Sequence, residues 1–270
     1  MIQDIAPSKL DNRFRKCEPK AKDPVLVFDP EGRILADTRS GELRFTGLSA
    51  AGEDIRFLFS VDDRNYFLSM KPAGIVPAGY EYMSIRQIRD MCGGKELFAA
   101  FTAYHLWKWY DASRYCGRCG AVMEVDEKER AMRCACGNIV YPRINPAVIV
   151  GVTNGDSLLI TRYRKGYAHN ALVAGFSEIG ETLEETVARE VMEEAGIKVE
   201  NIRYYKSQPW GMAQDLLAGF FCDVCGDDTI KMDDDELKYA AWTRRGDIEL
   251  QPNNLSLTNE MMRMFKEKRI

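Results

Sequence analysis

Glu181, Arg189, Glu190, Glu193 and Glu194 crowd the stretch GFSEIGETLEETVAREVMEEAGI, Gly175 to Ile197, at spacings that ordinary amphipathicity does not ask for. On an α-helix turning about 100° per residue, Leu183, Val187 and Val191 form one apolar stripe, and Glu190, Glu193 and Glu194 fan over an arc of roughly 100° beside it. Three carboxylates then share one edge of one helix. Like charges four apart on a helix cost a few tenths of a kcal/mol, so pairing Glu190 with Glu194 predicts a cation between them. Carboxylate oxygens suit Mg²⁺ or Mn²⁺. For a single Glu-Glu pair, a solvated acidic face is the simpler reading.

The cysteines form a second constellation. CGRCGAVMEVDEKERAMRCACG carries Cys116 and Cys119 as C-x2-C and Cys134 and Cys136 as C-x-C. Two such pairs separated by a short charged ribbon suit four thiolates around one structural zinc. Glycine after the second cysteine of each pair favours the tight turn that such knuckles need. The second pair is one residue short, which leaves open a strained thiolate or a three-ligand site. Cys222 and Cys225 repeat the C-x2-C spacing without a second pair. Residues three apart in a strand face opposite sides, so these two are read as strand residues. Cys17 and Cys92 are lone and inert. His105 and His169, with no second ligand at metal spacing, are read as structural.

The 270 residues allow one large or two ordinary domains, and a composition 46% hydrophobic and 29% charged is that of a soluble globular protein. A net charge of −4 offers phosphate no general attraction, so nucleotide contacts must come from local basic groups or metal. The N-terminus, MIQDIAPSKLDNRFRK, has no apolar leader, and no run of 18 apolar residues is present to span a bilayer. The expectation is a cytoplasmic protein with reduced thiols and no membrane contact.

Residues 1 to about 85 alternate short apolar runs with turn residues, as strands do. Helical candidates flank Gly93-Gly94, the second carrying Leu97, Phe98, Phe101, His105, Leu106 and Trp109. This predicts a small α+β N-terminal domain, 1–111, with no chemistry of its own, a ribbon over 112–142, and a third domain over 143–270. In the last, YPRINPAVIVGV, SLLITRY, ALVAGF, NIRYYKSQPW, DLLAGFFCDV and LKYAAWTRR read as strands, and 257–268 as a closing helix. Strands on both sides of the acidic helix suggest an α/β/α sandwich on a mixed sheet.

Gly175, Glu181, Arg189-Glu190, Glu193-Glu194 and Gly196 fill every fixed position of G-x5-E-x7-R-E-U-x-E-E-x-G-U, U being aliphatic. The stretch resembles the Nudix box. Together with the upstream zinc ribbon, YPR-x-x-P, the AGF that opens the box and Ser207-Gln208-Pro209-Trp210, it is similar to the NADH pyrophosphatase branch of that family, over roughly Cys116 to the C-terminus. One departure is clear: the branch continues SQPWPFPxS, and this chain reads SQPWGMAQD.

The resemblance implies metal-dependent hydrolysis of NAD(H) to nicotinamide mononucleotide and AMP, and in some members removal of NAD caps from RNA 5′ ends. It assigns Mg²⁺ or Mn²⁺ to Glu190, Glu193, Glu194, the Ala174 carbonyl and Glu236, the last preceded by Asp233, Asp234 and Asp235. Glu181 with Arg189 would hold the box in shape. Phe176 and a Tyr141 from the other subunit of a homodimer would hold the base. Gln208, Pro209, Trp210, Gly211, Met212, Ala213, Gln214 and Asp215 match the substrate-binding segment, with Glu129 and Thr258 as weaker correspondences. Two other readings stand beside this one: a Nudix hydrolase of another nucleoside diphosphate derivative such as ADP-ribose, and an inactive Nudix and zinc-ribbon module that binds RNA. The intact glutamates argue against the second. Which carboxylate is the general base is left open.

Overall fold

The computed structural model describes residues 1–48, 51–71, 74, 76–166 and 169–270. The chain divides into two units by internal contact, one of 2–143 with 211–214, the other of 144–210 with 215–270 and Met1.

In the first unit the apolar runs become β1 (Leu10–Asp11), β2 (Val25–Val27), β3 (Ile34–Asp37), β4 (Arg44–Phe45), β5 (Ile55–Val61), β6 (Arg64–Ser69) and β7 (Glu81–Met83). They form two small sheets, ordered β1-β5-β6-β2 and β4-β3-β7. Helix α1 (Ile85–Met91) starts at a capping box between Ser84 and Gln87, and α2 (Gly94–Ala112) buries Leu97, Phe98, Phe101, Leu106 and Trp109. The helices on either side of Gly93-Gly94 are those read from the sequence. His105 gives its Nε2 to the Arg143 carbonyl at 2.7 Å, and burial lowers its pKa. The same unit holds the ribbon strands β8 (Glu124–Val125), β9 (Met132–Arg133) and β10 (Ile139–Val140), ordered β10-β9-β8.

The second unit is built on β11 (Asn145–Asn154), β12 (Ser157–Tyr163), β13 (Val173–Phe176), β14 (Val199–Trp210), β15 (Asp215–Val224) and β16 (Leu237–Arg244), with helices α3 (Leu183–Ala195) and α4 (Leu257–Lys266). The sheet runs β14-β15-β11-β12-β16, with β13 also on β11. Among the described residues of this sheet only β11 and β15 pair in parallel, so the sheet is mixed. Successive strand residues face opposite sides. Val148, Val150 and Phe220 therefore pack with Val187 and Val191 of α3, and Ile149, Ile160 and Phe221 with Met261, Met262 and Phe265 of α4. This is the α/β/α sandwich expected. Cys222 is a buried strand residue on the α3 side, its thiol pushed up to about 12 by burial. Among the described residues no helix is long and apolar enough to cross a membrane.

Candidate active site and zinc ribbon

Local sequence fixes where α3 begins and ends, and hence the phase of its acidic edge. The Thr182 hydroxyl accepts the Glu185 N–H at 3.2 Å, and the Glu185 carboxylate accepts the Thr182 N–H at 2.8 Å. A cap of this kind contributes about 1 kcal/mol. The T-x-x-E spacing could have located it in the sequence. Gly196, at φ +68°, closes the helix in the left-handed region. Val187 and Val191 are fully buried, which turns the glutamates to one side of the contact with the sheet.

Arg189 is the centre of that edge. Its Nε and Nη2 donate to the two oxygens of Glu181 at 2.6 and 2.9 Å. Its Nη1 reaches Glu190 at 2.7 Å and Glu193 at 3.0 Å, and Nη2 also donates to the Phe176 carbonyl at 2.9 Å. Sequence reasoning paired Arg189 with Glu181; the guanidinium also balances two glutamates of the arc. The fork beside it holds the Glu181 carboxyl down at about 2. Glu190 is pushed the other way, raised chiefly by burial.

Glu194 has a different environment. Its residue is 1% exposed. The Tyr163 hydroxyl lies 3.1 and 3.3 Å from its two oxygens, and the Ala174 N–H donates to Oε1 at 3.4 Å. Burial first, then the negative charge of Glu236, push the Glu194 carboxyl up to about 8. Sequence reasoning missed Tyr163, since nothing in SLLITRY marks the last residue for this contact. Glu236 arrives by strand pairing: Tyr163 lies opposite Leu237 across β12 and β16, and the Arg164 N–H donates to the Glu236 carbonyl at 2.9 Å. Tyr163, Arg164, Lys165, Asp233, Asp235 and Glu236 line an open cleft of about 410 Å³.

The donor set has the chemistry that a hard divalent cation takes. Its members are oxygens, from Glu190, Glu193, Glu194, Glu236 and the Ala174 carbonyl, the last 3.5 Å from the same Tyr163 hydroxyl that meets Glu194. Mutual repulsion among Glu190, Glu194 and Glu236 is what a bound dication relieves.

In the ribbon all four cysteines converge. The Sγ atoms of Cys116, Cys119, Cys134 and Cys136 lie within 4.8 Å of one another, with Cys116 to Cys136 at 3.7 Å and Cys119 to Cys134 at 3.5 Å. A tetrahedron with Zn–S bonds of about 2.3 Å has edges of about 3.8 Å, so the cage fits zinc. The short knuckle closes differently from the long one. The Gly120 N–H returns to the carbonyl of Cys116, four residues back, at 2.8 Å, whereas the Gly137 N–H returns to that of Cys134, three back, at 2.9 Å. Both glycines have positive φ, +74° and +88°, and the tighter turn brings the Cys136 sulfur in despite the missing residue. The Arg118 N–H, 3.4 Å from the Cys116 sulfur, pulls that thiol down to about 6.

The residues assigned to substrate have varied settings. Phe176 is 54% exposed at the end of β13, and Tyr141 is equally exposed in the ribbon. The Tyr141 hydroxyl donates to Glu129 at 2.9 Å. Gln208 is fully buried: its amide donates to the Leu255 carbonyl at 2.8 Å and its Oε1 accepts the Leu257 N–H at 2.7 Å. Pro209 is exposed and Trp210 half-buried at the end of β14. Gly211 lies against the Phe101 carbonyl with no room for a Cβ. Met212 is half-buried, Ala213 exposed, and Gln214 has φ +65°. Asp215 is buried, 3.5 Å from the Asn145 amide, and Thr258 is half-buried in the first turn of α4.

Comparison with known proteins agrees with this geometry. A family profile described as NUDIX domain matches residues 143–265, and one described as NADH pyrophosphatase zinc ribbon domain matches 111–141. The chain is 43% identical over 173 residues to the NAD-capped RNA hydrolase NudC of Shigella dysenteriae serotype 1 (strain Sd197), and 42% identical over the same length to that of Klebsiella pneumoniae (strain 342). Each match covers 63% of this chain and 66% of the relative, just under two-thirds of its length. The crystal structure of a NUDIX hydrolase from Nitrosomonas europaea shares the fold, with TM-score 0.51 and 21% identity over 58% of this chain and 92% of that one. The chain thus carries a NUDIX domain over residues 143–265, preceded by an NADH pyrophosphatase zinc ribbon domain over 111–141.

Proposed function

We propose that this chain hydrolyses the pyrophosphate bond of NAD(H), giving NMN(H) and AMP, and cleaves the same bond in the NAD cap of RNA 5′ ends. The observation that carries the proposal is the edge of α3, where Arg189 Nη1 meets both Glu190 and Glu193 and Glu194 is buried beside Ala174. Relatives named for NAD-capped RNA support the substrate class.

Glu190, Glu193, Glu194, Glu236 and the Ala174 carbonyl would hold Mg²⁺ or Mn²⁺. Such an ion screens phosphate charge, lowers the pKa of a water and stabilises the leaving oxygen. Arg189, bound to Glu181 through both carboxylate oxygens, keeps the helix edge in register with β13 through the Phe176 carbonyl. The exposed Phe176 ring offers a base one stacking face, worth roughly 1–3 kcal/mol. In this reading the second face is Tyr141 of the other subunit, its ring oriented by Glu129, so the enzyme is a homodimer. Of the segment Gln208 to Asp215, Gln208 acts by holding the loop before α4, and Thr258 stands at the start of that helix. Residues 143–270 carry the reaction in the cytoplasm, 112–142 hold one structural zinc, and 1–111 take no part in the chemistry.

Turnover of NADH, NAD⁺, NAD-capped RNA and ADP-ribose, measured side by side with Mg²⁺ and with Mn²⁺, tests the assignment. Preference for the NAD-containing substrates is expected. Cleavage of ADP-ribose alone would replace the substrate and leave the chemistry.

A further inference from the structure

Resting on that metal-dependent reading, we propose that Tyr163 is a positioning residue for Glu194: its hydroxyl fixes the carboxylate so that one oxygen is presented beside the Ala174 carbonyl to the divalent cation. Four oxygens surround the Tyr163 hydroxyl, two from Glu194 at 3.1 and 3.3 Å and the carbonyls of Leu172 and Ala174 at 3.4 and 3.5 Å. A phenol has one proton to give, and a carboxylate accepts it more strongly than a neutral carbonyl. Oε1, the nearer oxygen, also takes the Ala174 N–H. It is therefore the anchored oxygen, and Oε2 is the one left for a ligand.

The backbone supports the assignment independently. The β12–β16 ladder slips between Arg162 and Tyr163, so that Arg162 faces Tyr239 and Tyr163 faces Leu237. Such bulges bend a strand and re-aim a side chain. Here the bulge falls at the residue that reaches Glu194, one position before Arg164, whose N–H donates to the carbonyl of Glu236 in the turn that leads into β16. Glu194 is almost wholly removed from solvent, and a buried carboxylate that loses a donor has no water to replace it. Without the hydroxyl the carboxylate keeps only the longer Ala174 N–H contact at 3.4 Å and is held less firmly.

The test is Mn²⁺ binding to the full chain, read from the electron paramagnetic resonance of free Mn²⁺, in wild type, Tyr163→Phe, Glu194→Gln and the double variant. Zinc content and melting temperature are followed alongside, and an early-melting variant is titrated in the cold, below its transition. Tyr163→Phe should weaken Mn²⁺ binding on the order of 10- to 100-fold, with kcat reduced and KM for NADH unchanged. In the Glu194→Gln background the same substitution should have no further effect. Equal Mn²⁺ affinity in wild type and Tyr163→Phe, or an equal loss in both backgrounds, would overturn the inference. If wild type bound Mn²⁺ no better than Glu194→Gln, the metal-dependent reading itself would fall.

Discussion

A side chain at Gly175 and the carboxylate of Glu190 cannot coexist, because a Cβ on the glycine would fall directly on the carboxylate carbon and oxygens. The glycine that opens the box is there for the glutamate fifteen positions later, in the helix. Gly175→Ala should therefore leave the sheet intact while pushing Glu190 out of place. A misplacement of about 1 Å at a catalytic group costs on the order of 100-fold. Steady-state kinetics with circular dichroism should show kcat lower by about that factor and an unchanged fold. Unaltered kcat would separate Glu190 from the reaction.

The Glu181–Arg189 fork gives an acid-side prediction. Glu181 titrates at about 2 in the fold against an ordinary 4.5, so its contribution is fully present above about 4.5 and is lost as pH falls toward 2. Glu181→Gln should lower the melting temperature at neutral pH, and the gap to wild type should close as the pH is lowered through that window. A gap independent of pH would mean that the ion pair is not its source.

Much of this site was legible because helical periodicity converts spacing into a face. The numbers of Glu190, Glu193 and Glu194 alone put them on one edge of α3, where Arg189 meets the first two and the third is buried beside Ala174. Cross-strand register has no such signature: Tyr163 reaches Glu194 only because β12 slips by one residue against β16. Gln208 shows the opposite limit. Its amide is engaged by the backbone at Leu255 and Leu257, 47 and 49 residues further along the chain, partners that no local spacing announces. The short C-x-C knuckle looked deficient by counting residues, whereas a change from a four-residue to a three-residue turn absorbs the difference.

The ribbon should carry one zinc per chain, lost together with thermal stability in Cys116→Ser. Metal analysis of freshly purified protein checks this. Absence of zinc would contradict the four-thiolate site, and two zincs per chain would point to Cys222 and Cys225.

Sharing of the base-binding pocket is tested by mixing chains. Tyr141→Ala should raise KM for NADH about tenfold, the equivalent of about 1.4 kcal/mol for one lost stacking contact. In a heterodimer with Glu194→Gln, the site that keeps its own glutamates receives an intact Tyr141 from the other chain and should regain normal KM. Sedimentation as a monomer at assay concentration, with unchanged NADH kinetics, would remove the shared site.

Hydrolysis at the edge of α3 would cut the pyrophosphate bond of NAD(H). Incubating the protein with NADH and Mn²⁺ and resolving the products tests it most directly. Wild type should give NMNH and AMP in equal amounts, and a folded Glu194→Gln chain neither. Intact NADH after incubation with wild type, release of nicotinamide with ADP-ribose in place of NMNH and AMP, or full activity of Glu194→Gln at saturating Mn²⁺ would contradict it.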